Sequence, residues 1–415
     1  VRDLILAIDA GTTGVTALVM DRDRCVVGRG YQDFPQYFPQ PGWVEQEPAE
    51  IWTALLSAAT SALAGRADEI VGVGIANQRE TLVIWDRSTL RSARPAIVWQ
   101  DRRTSQICER LSDVDVTRTG LRLDPYFTAT KVMWVRENEP ELWAGIESGK
   151  YAIGTVDSYL LARLTGGACH LTDASNASRT LLYSLSLGDW DPTLLEIFSV
   201  PRHALPDITS SYGETAHCDP ASFLGISAPI TGVAGDQQAA LVGQAGTDIG
   251  AAACSYGTGS FVLVNTGTKI PPASGGLLAT VAIQHPDGVR SFASEGAVFV
   301  TGAAVQWFRD ELGAIATSSE IEALAQRVPD SAGVVVVPAL TGLGAPHWDP
   351  HARGAILGIT RGTTLEHIAR ALLESIAWQV ADVVAMMEAQ SEVQLAFLGA
   401  HGGASANTLL CEMQA

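Results

Sequence analysis

The chain restarts its own plan half-way along. "LILAID", residues 4–9, runs into the glycine–threonine turn "AGTTG" and out again into "VTALVMD". The same order returns in "AAACSYGTGSFVLVNTG", residues 251–267: an apolar run, the turn "YGTG", another apolar run. Two short apolar runs joined by a tight Gly/Thr turn predict a β-hairpin rather than a strand-to-helix junction. A chain of 415 residues has the length of two or three domains. A hairpin that heads each half therefore predicts two domains built alike. The Gly-rich "GQAGTDIG" at 243–250 marks the boundary, giving domains over 1–245 and 250–415.

The segments after each hairpin predict helices and buried strands. "PAEIWTALLSAATSAL" (48–63) starts with Pro48, a residue suited to the first helical position. It lines up Ile51, Leu55, Ala59 and Leu63 on one face. "IVGVGIA" (70–76) reads as a buried strand. In the second half, residues 363–390 form a long helix pattern, with Ile368, Leu372, Ile376, Val380 and Val383 on one face. Thr363 and Glu366 have capping-box spacing. "LAFLGAHGGASANTLL" (395–410) follows as strand, glycine turn and helix. Strands alternating with helices predict a layered α/β fold.

Composition narrows the function classes. A hydrophobic content of 47% with 17% charged residues supports large cores and opposes disorder. The net charge of −18 opposes a nucleic-acid or anionic-membrane surface. An anionic ligand would have to be held by local backbone N–H groups and a metal ion. No apolar run approaches the ~18 residues of a membrane helix, so no membrane insertion is expected. The opening Val-Arg-Asp shows no signal-peptide pattern. Cys25, Cys108, Cys169, Cys218, Cys254 and Cys411 are scattered without a C-x-x-C, as free thiols in a reducing cytoplasm would be. "NAS" at 176–178 matches a glycosylation sequon and reads as a chance match.

Several residues can carry chemistry. Both turns offer backbone N–H groups and threonine hydroxyls of the kind that bind phosphate oxygens, although neither is a P-loop. Asp9, before the first turn, fits a magnesium ligand or a turn-stabilising aspartate. Asp236, in "GVAGDQQAAL" (232–241), fits a helix N-cap or a carboxylate that takes a proton from a substrate hydroxyl. Arg79 and Glu80 follow an apolar strand. They fit a surface ion pair or a set of partners for neighbouring hydroxyls. Trp99 and Tyr126 fit core aromatics or walls of a site.

Taken together, the motifs resemble the FGGY carbohydrate kinases, whose duplicated ATPase fold is shared with actin, hexokinase and Hsp70. The resemblance runs from about residue 4 to residue 414. It is carried by "PGWVEQEPAEIW" (41–52), "NQRET" (77–81), "IVWQDRRT" (97–104), "DPYFTATK" (124–131), "TDASNASRTLL" (172–182), "AGDQQAAL" (234–241), "YGTGSF" (256–261), "EGAVFVTGAAVQWFRD" (295–310) and "GLGAPHWDPHARGAILGITRGTT" (342–364). It implies an α/β fold of two actin-like (ribonuclease H-like) domains with an ATP and substrate cleft between them. Within the family, "NQRET", "DPYF" and "AGDQQ" favour glycerol as acceptor, phosphorylated by ATP with Mg2+ to sn-glycerol 3-phosphate.

By the same resemblance, Asp236 is the general base. Arg79, Glu80, Tyr126, Asp236 and Gln237 bond the acceptor's hydroxyls, and Trp99 and Phe261 form an apolar slot for its carbons. Thr12, Thr13 and Gly14 hold phosphates from one side, and Gly257 and Thr258 from the other. Gly302, Gln306, Gly403 and Asn407 lie along the nucleotide. Asp9 and Asp236 lie near Mg2+. The alternatives are a family kinase for another polyol or ketose, for which Trp99 and Phe261 leave little room, and a non-catalytic ATP-binding switch.

Two positions depart from the family pattern: His401 stands where an aspartate is usual, and Thr16 where many relatives carry a basic residue. The segment before "ISAPITGVAG" lacks the Gly-Thr-Arg pattern some relatives use to bind fructose 1,6-bisphosphate, so no such regulation is expected. Relatives continue past "ANTLLCEMQA", which implies a partial C-terminal domain here. A cytoplasmic homo-oligomer, dimer or tetramer, fits the family.

Overall fold

The structure is a computed structural model that describes residues 3–349 and 351–415. Val1, Arg2 and Pro350, the last within the 342–364 motif, lie outside the described residues. The chain forms two compact units. One comprises Val1–Ala239 with Thr280–Ser291, the other Ala240–Ala279 with Phe292–Ala415. The hairpin tip 280–291 thus belongs with the first unit although it arises from the second half of the sequence.

The first unit is built on a six-stranded sheet. Its spatial order is Tyr212–His217, Pro229–Gly235, Ile70–Asn77, Leu4–Ala10, Gly14–Met20, Val26–Asp33. Leu4–Ala10 and Gly14–Met20 form the predicted antiparallel hairpin, and Ile70–Asn77 joins Leu4–Ala10 in parallel. Leu6, Ile8, Val15, Ala17 and Val19 point to one buried side. The helix Pro48–Leu63 covers it, with proline at its start as expected. Its Ala58, Ala59 and Ala62 are wholly buried, and these small side chains bring the helix close to the sheet.

In the second unit a five-stranded sheet has the order Leu278–Gln284, Arg290–Val298, Ser260–Gly267, Ala251–Tyr256, Phe397–His401. The hairpin Ala251–Tyr256/Ser260–Gly267 is again antiparallel, and Phe397–His401 again joins its first strand in parallel. In both units the first hairpin strand lies between its own partner and a later parallel strand. A crossover helix leads to that strand: Pro48–Leu63 in one unit, Leu365–Ser391 in the other. The restart read from the sequence is a repeated topology.

Two local expectations change. The long helix begins at Leu365, capped by Thr364 rather than Thr363, and its third residue is His367 rather than Glu366. The His367 ring nitrogen Nδ1 accepts from the Thr364 N–H at 3.1 Å. An imidazole thus fills the place usually taken by a carboxylate or amide. Asn176, the sequon asparagine, is fully buried. It exchanges amide hydrogen bonds with Asn77 at 3.0 and 3.2 Å, so the sequon is structural.

Candidate active site

In the first unit, the parallel strands Leu4–Ala10 and Ile70–Asn77 end side by side, with Ala10 opposite Asn77. Each strand delivers its next residues to the same edge of the sheet. The first delivers the turn 11–13. Gly11 N–H closes on the Gly14 carbonyl at 3.0 Å, which puts Thr12 and Thr13 at the tip. The second delivers Gln78, Arg79 and Glu80. The neighbouring strand Pro229–Gly235 ends at the same level and delivers Asp236 as the first residue of a helix.

Arg79 and Glu80 are 3% and 1% exposed, which excludes a surface ion pair. The Arg79 Nε lies 3.3 Å from Asp236 Oδ1, and its Nη1 donates to Gln238 Oε1 at 3.3 Å. Glu80 Oε1 accepts from Arg179 Nε at 2.7 Å. Glu80 adopts φ +63°, a left-handed conformation costing a non-glycine residue about 1–3 kcal/mol. Its carbonyl is held by Thr128 Oγ1 at 3.0 Å and Lys131 Nζ at 3.3 Å. Asp236 is one-third exposed, and its Oδ1 also accepts from the Gln237 N–H at 2.7 Å. It therefore holds its helix start and meets Arg79 at once.

Trp99 and Tyr126 stand edge-to-face with ring centres 5.4 Å apart. Both are half-buried. The Trp99 indole N–H donates to Thr12 Oγ1 at 2.9 Å, so an aromatic wall and the first turn touch directly. Asp9 is exposed over part of its surface. Lost hydration, and then the charge of Asp236, raise its carboxyl to about 6.

The second unit holds a cavity of about 470 Å³. Six of the expected nucleotide-side residues line it: Gly257, Thr258, Gly302, Gln306, Gly403 and Asn407. The helix Gly302–Asp310 starts on the turn, with Gly302 N–H on the Gly257 carbonyl at 3.0 Å. A Cβ at Gly302 would stand 2.6 Å from that carbonyl oxygen, a clash that only glycine avoids. Gly402, at φ +93°, lets the chain turn beside the Tyr256 carbonyl. Asn407 Oδ1 caps the last helix by accepting from Leu410 N–H at 2.9 Å. Phe261 is half-buried on the strand Ser260–Gly267 of this unit.

The model of the FGGY family of carbohydrate kinases, N-terminal domain, matches residues 4–243, and that of its C-terminal domain residues 252–415. The chain belongs to the FGGY carbohydrate kinases. It is 50% identical to a glycerol kinase of Alkalilimnicola ehrlichii, over 99% of this chain and 84% of that protein. It is 50% identical to one of Deinococcus radiodurans, over 99% and 83%. The structure matches that of Plasmodium falciparum glycerol kinase with ADP with a TM-score of 0.92 at 33% identity, over 100% of this chain and 84% of that one.

Against the family pattern, Thr16 stands opposite Asp9 in the hairpin ladder. A basic residue there would set a positive charge beside Asp9, and threonine brings none. His401 neighbours Ser255 in the parallel ladder, and the glycine turn after it forms with histidine in that place. Sequence reasoning missed Arg179, Lys131 and Gln238, all buried. Gln238 follows two residues that were read, and its Nε2 donates to Thr280 Oγ1 at 3.2 Å. The one signal for Arg179 was its place inside the "TDASNASRTLL" motif. Glu322 also lines the cavity, where its carboxylate accepts from Leu409 N–H at 3.0 Å.

Proposed function

We propose that this protein transfers the γ-phosphoryl group of ATP to glycerol, giving sn-glycerol 3-phosphate. The observation that carries the reading is the buried pair Arg79 and Glu80, with the part-exposed Asp236 against Arg79, beside the paired rings of Trp99 and Tyr126. A small polyol needs alternating donors and acceptors along one side and an apolar surface for its carbons along the other. Arg79 supplies donors, Glu80 and Asp236 acceptors, Tyr126 and Gln237 both. A site whose polar groups are buried discriminates strongly against analogues lacking a hydroxyl, because its own groups are then left unpaired.

Asp236 is the general base. It accepts the proton of the terminal hydroxyl as that oxygen attacks the γ-phosphorus, and Arg79 fixes its carboxylate. Arg179 aims the Glu80 carboxylate by donating to it. Trp99 and, on the resemblance alone, Phe261 flank the carbon chain. Phosphoryl transfer depends on positioning and charge neutralisation, which suits turns rich in N–H groups and hydroxyls. Thr12, Thr13 and Gly14 take phosphate oxygens in the first unit. Gly257, Thr258, Gly302, Gln306, Gly403 and Asn407 take the rest of the nucleotide in the second.

Asp9 and Asp236 are the residues that would hold the Mg2+ accompanying ATP. Their mutual repulsion, which helps raise Asp9, is what a divalent cation relieves. Mg2+ bound with a nucleotide uses only one or two carboxylates beside phosphates and water. When bound, it neutralises charge on the transferring phosphate. No helix among the described residues is long and apolar enough to cross a membrane, and a cytoplasmic enzyme remains our reading.

The test is ADP release with MgATP across glycerol, dihydroxyacetone, erythritol, xylulose and no acceptor. Glycerol should exceed every other acceptor in kcat/KM. Equal ADP release without an acceptor would overturn the reading in favour of an ATPase. A faster ketose or tetritol would keep the family chemistry and overturn the assigned acceptor.

A further inference from the structure

A closed ring of hydrogen bonds joins the first phosphate turn to the acceptor residues, and the function proposed above uses none of its inner members. Gln46 Nε2 donates to the Thr12 carbonyl at 2.7 Å. Gln78 Nε2 donates to Gln46 Oε1 at 2.9 Å and to the Gly11 carbonyl at 3.1 Å. Thr81 Oγ1 donates to Gln78 Oε1 at 2.8 Å. Trp99 N–H donates to Thr81 Oγ1 at 3.3 Å. The Trp99 indole N–H closes the ring on Thr12 Oγ1 at 2.9 Å. Gln46, Gln78 and Thr81 are 0%, 1% and 0% exposed.

The ring has a structural origin. The short strand Glu45–Gln46 pairs with Ala96–Ile97, which places Gln46 and Trp99 on either side of the turn. Gln78 and Thr81 bracket Arg79 and Glu80 in the sequence. The ring therefore grips both ends of the acceptor-binding dipeptide and both the carbonyl and the hydroxyl of Thr12. A buried polar network in which the amide and hydroxyl groups satisfy one another holds a single geometry. One broken member strands its neighbours without water to replace it.

We propose that Gln46 and Gln78 are positioning residues that set the phosphate turn 11–13 in register with Arg79, Glu80 and Trp99. This rests on the functional reading above. Neither amide needs to touch a substrate: each acts through Thr12, Gly11 or Thr81. The ring aligns the two half-substrates, because a misplacement on the order of 1 Å can cost about 10²-fold in rate.

The test is a cycle of Gln46→Met, Trp99→Phe and the double variant, each with glycerol and MgATP. Gln46→Met keeps volume and opens the ring at its two adjoining links, to Thr12 and from Gln78. Trp99→Phe keeps an aromatic wall and opens it at another. Each single variant should lower kcat about tenfold. Gln46→Met should leave the equilibrium affinity for glycerol without nucleotide within about twofold of wild type. The double variant should fall no more than about twofold below the worse single one, because a ring opened once gains little from a second cut. Losses that multiply would overturn the proposal, as would a Gln46→Met variant whose only defect is glycerol affinity.

A second readout does not depend on the acceptor. Hydrogen exchange in Gln46→Met should speed at both 11–14 and 78–81 with the rest of the first unit unchanged. Faster exchange confined to 45–47, or none, would overturn the proposal. Failure of the functional reading is distinguishable: it appears as absent glycerol turnover in the wild type, while the exchange result still decides the ring.

Discussion

The two candidate half-sites are built from different materials. In the first unit, the candidate recognition groups are side chains: Arg79, Glu80 and Arg179 are almost without solvent, and they sit in a web of charge-assisted bonds. In the second unit, the cavity is walled by glycines, a turn, helix starts and apolar side chains such as Leu373 and Ile376. The difference follows from the ligands each would take. A three-carbon polyol offers little surface, so selectivity must come from pairing its hydroxyls with groups that tolerate no vacancy. A nucleotide offers a large flat base and a chain of phosphates. Backbone N–H groups and an apolar slot suffice for these. Damage should therefore be steep in the first unit and graded in the second.

The largest expected effect is at the base. Asp236→Asn should lower kcat by about 10²–10⁴-fold, the range for losing a general base; steady-state kinetics check this. A loss below tenfold would remove Asp236 from proton transfer. Next is the buried ion pair. Arg179→Met removes the Arg179 partner of Glu80 while Arg79 stays 4.0 Å away, so the unfolding free energy in urea should drop by about 3 kcal/mol, the low end for a broken buried pair. Combining it with Glu80→Gln should restore most of that stability without restoring kcat/KM for glycerol. That pair of outcomes separates the structural from the recognising role of Glu80.

A smaller effect is expected across the second unit. Asn407→Ala or Gln306→Ala removes a neutral partner worth about 0.5–1.5 kcal/mol. The KM for ATP should rise about 2–10-fold, while the KM for glycerol stays put. A loss here as steep as that at Asp236 would break the contrast between the two units.

The last effect is a pH dependence of stability. Lys131 is fully buried and donates to the carbonyls of Tyr126 and Glu80. Burial, partly offset by Glu80 and other acids, lowers its pKa to about 7. Between about 7 and the ordinary lysine value of ~10.5, the unfolded chain binds the proton that the folded one has released. Stability from this group therefore rises with pH across that window, and its charging cost is fully present below it. Thermal melts of wild type and Lys131→Met from pH 6 to 9 should show the wild type gaining on the variant as pH rises.

Much of this was legible in the chain itself. The hairpins, the helix Pro48–Leu63 and the glycine turns follow from local patterning: apolar period, proline at a helix start and small residues at turns. These signals lie within a few residues of one another. Asp236, Arg79 and the two turns could be singled out because polar residues directly after buried strands stand at the ends of those strands. What they would do there came from the resemblance to the kinase family.

What the sequence left open was decided by packing between distant segments. Arg79 beside Glu80 reads equally as a surface pair, and only the arrival of Arg179, Lys131 and Gln238 from elsewhere in the fold buries it. Gln46 and Gln78 look like ordinary polar residues, because an amide carries no sequence signature of its partner. They became a ring when a two-residue strand at Glu45–Gln46 met another at Ala96–Ile97. Local pattern determines which elements form and where they end. The partners of a buried polar group are set by the three-dimensional path of the whole chain, since the low dielectric that makes such groups decisive exists only once the core has closed.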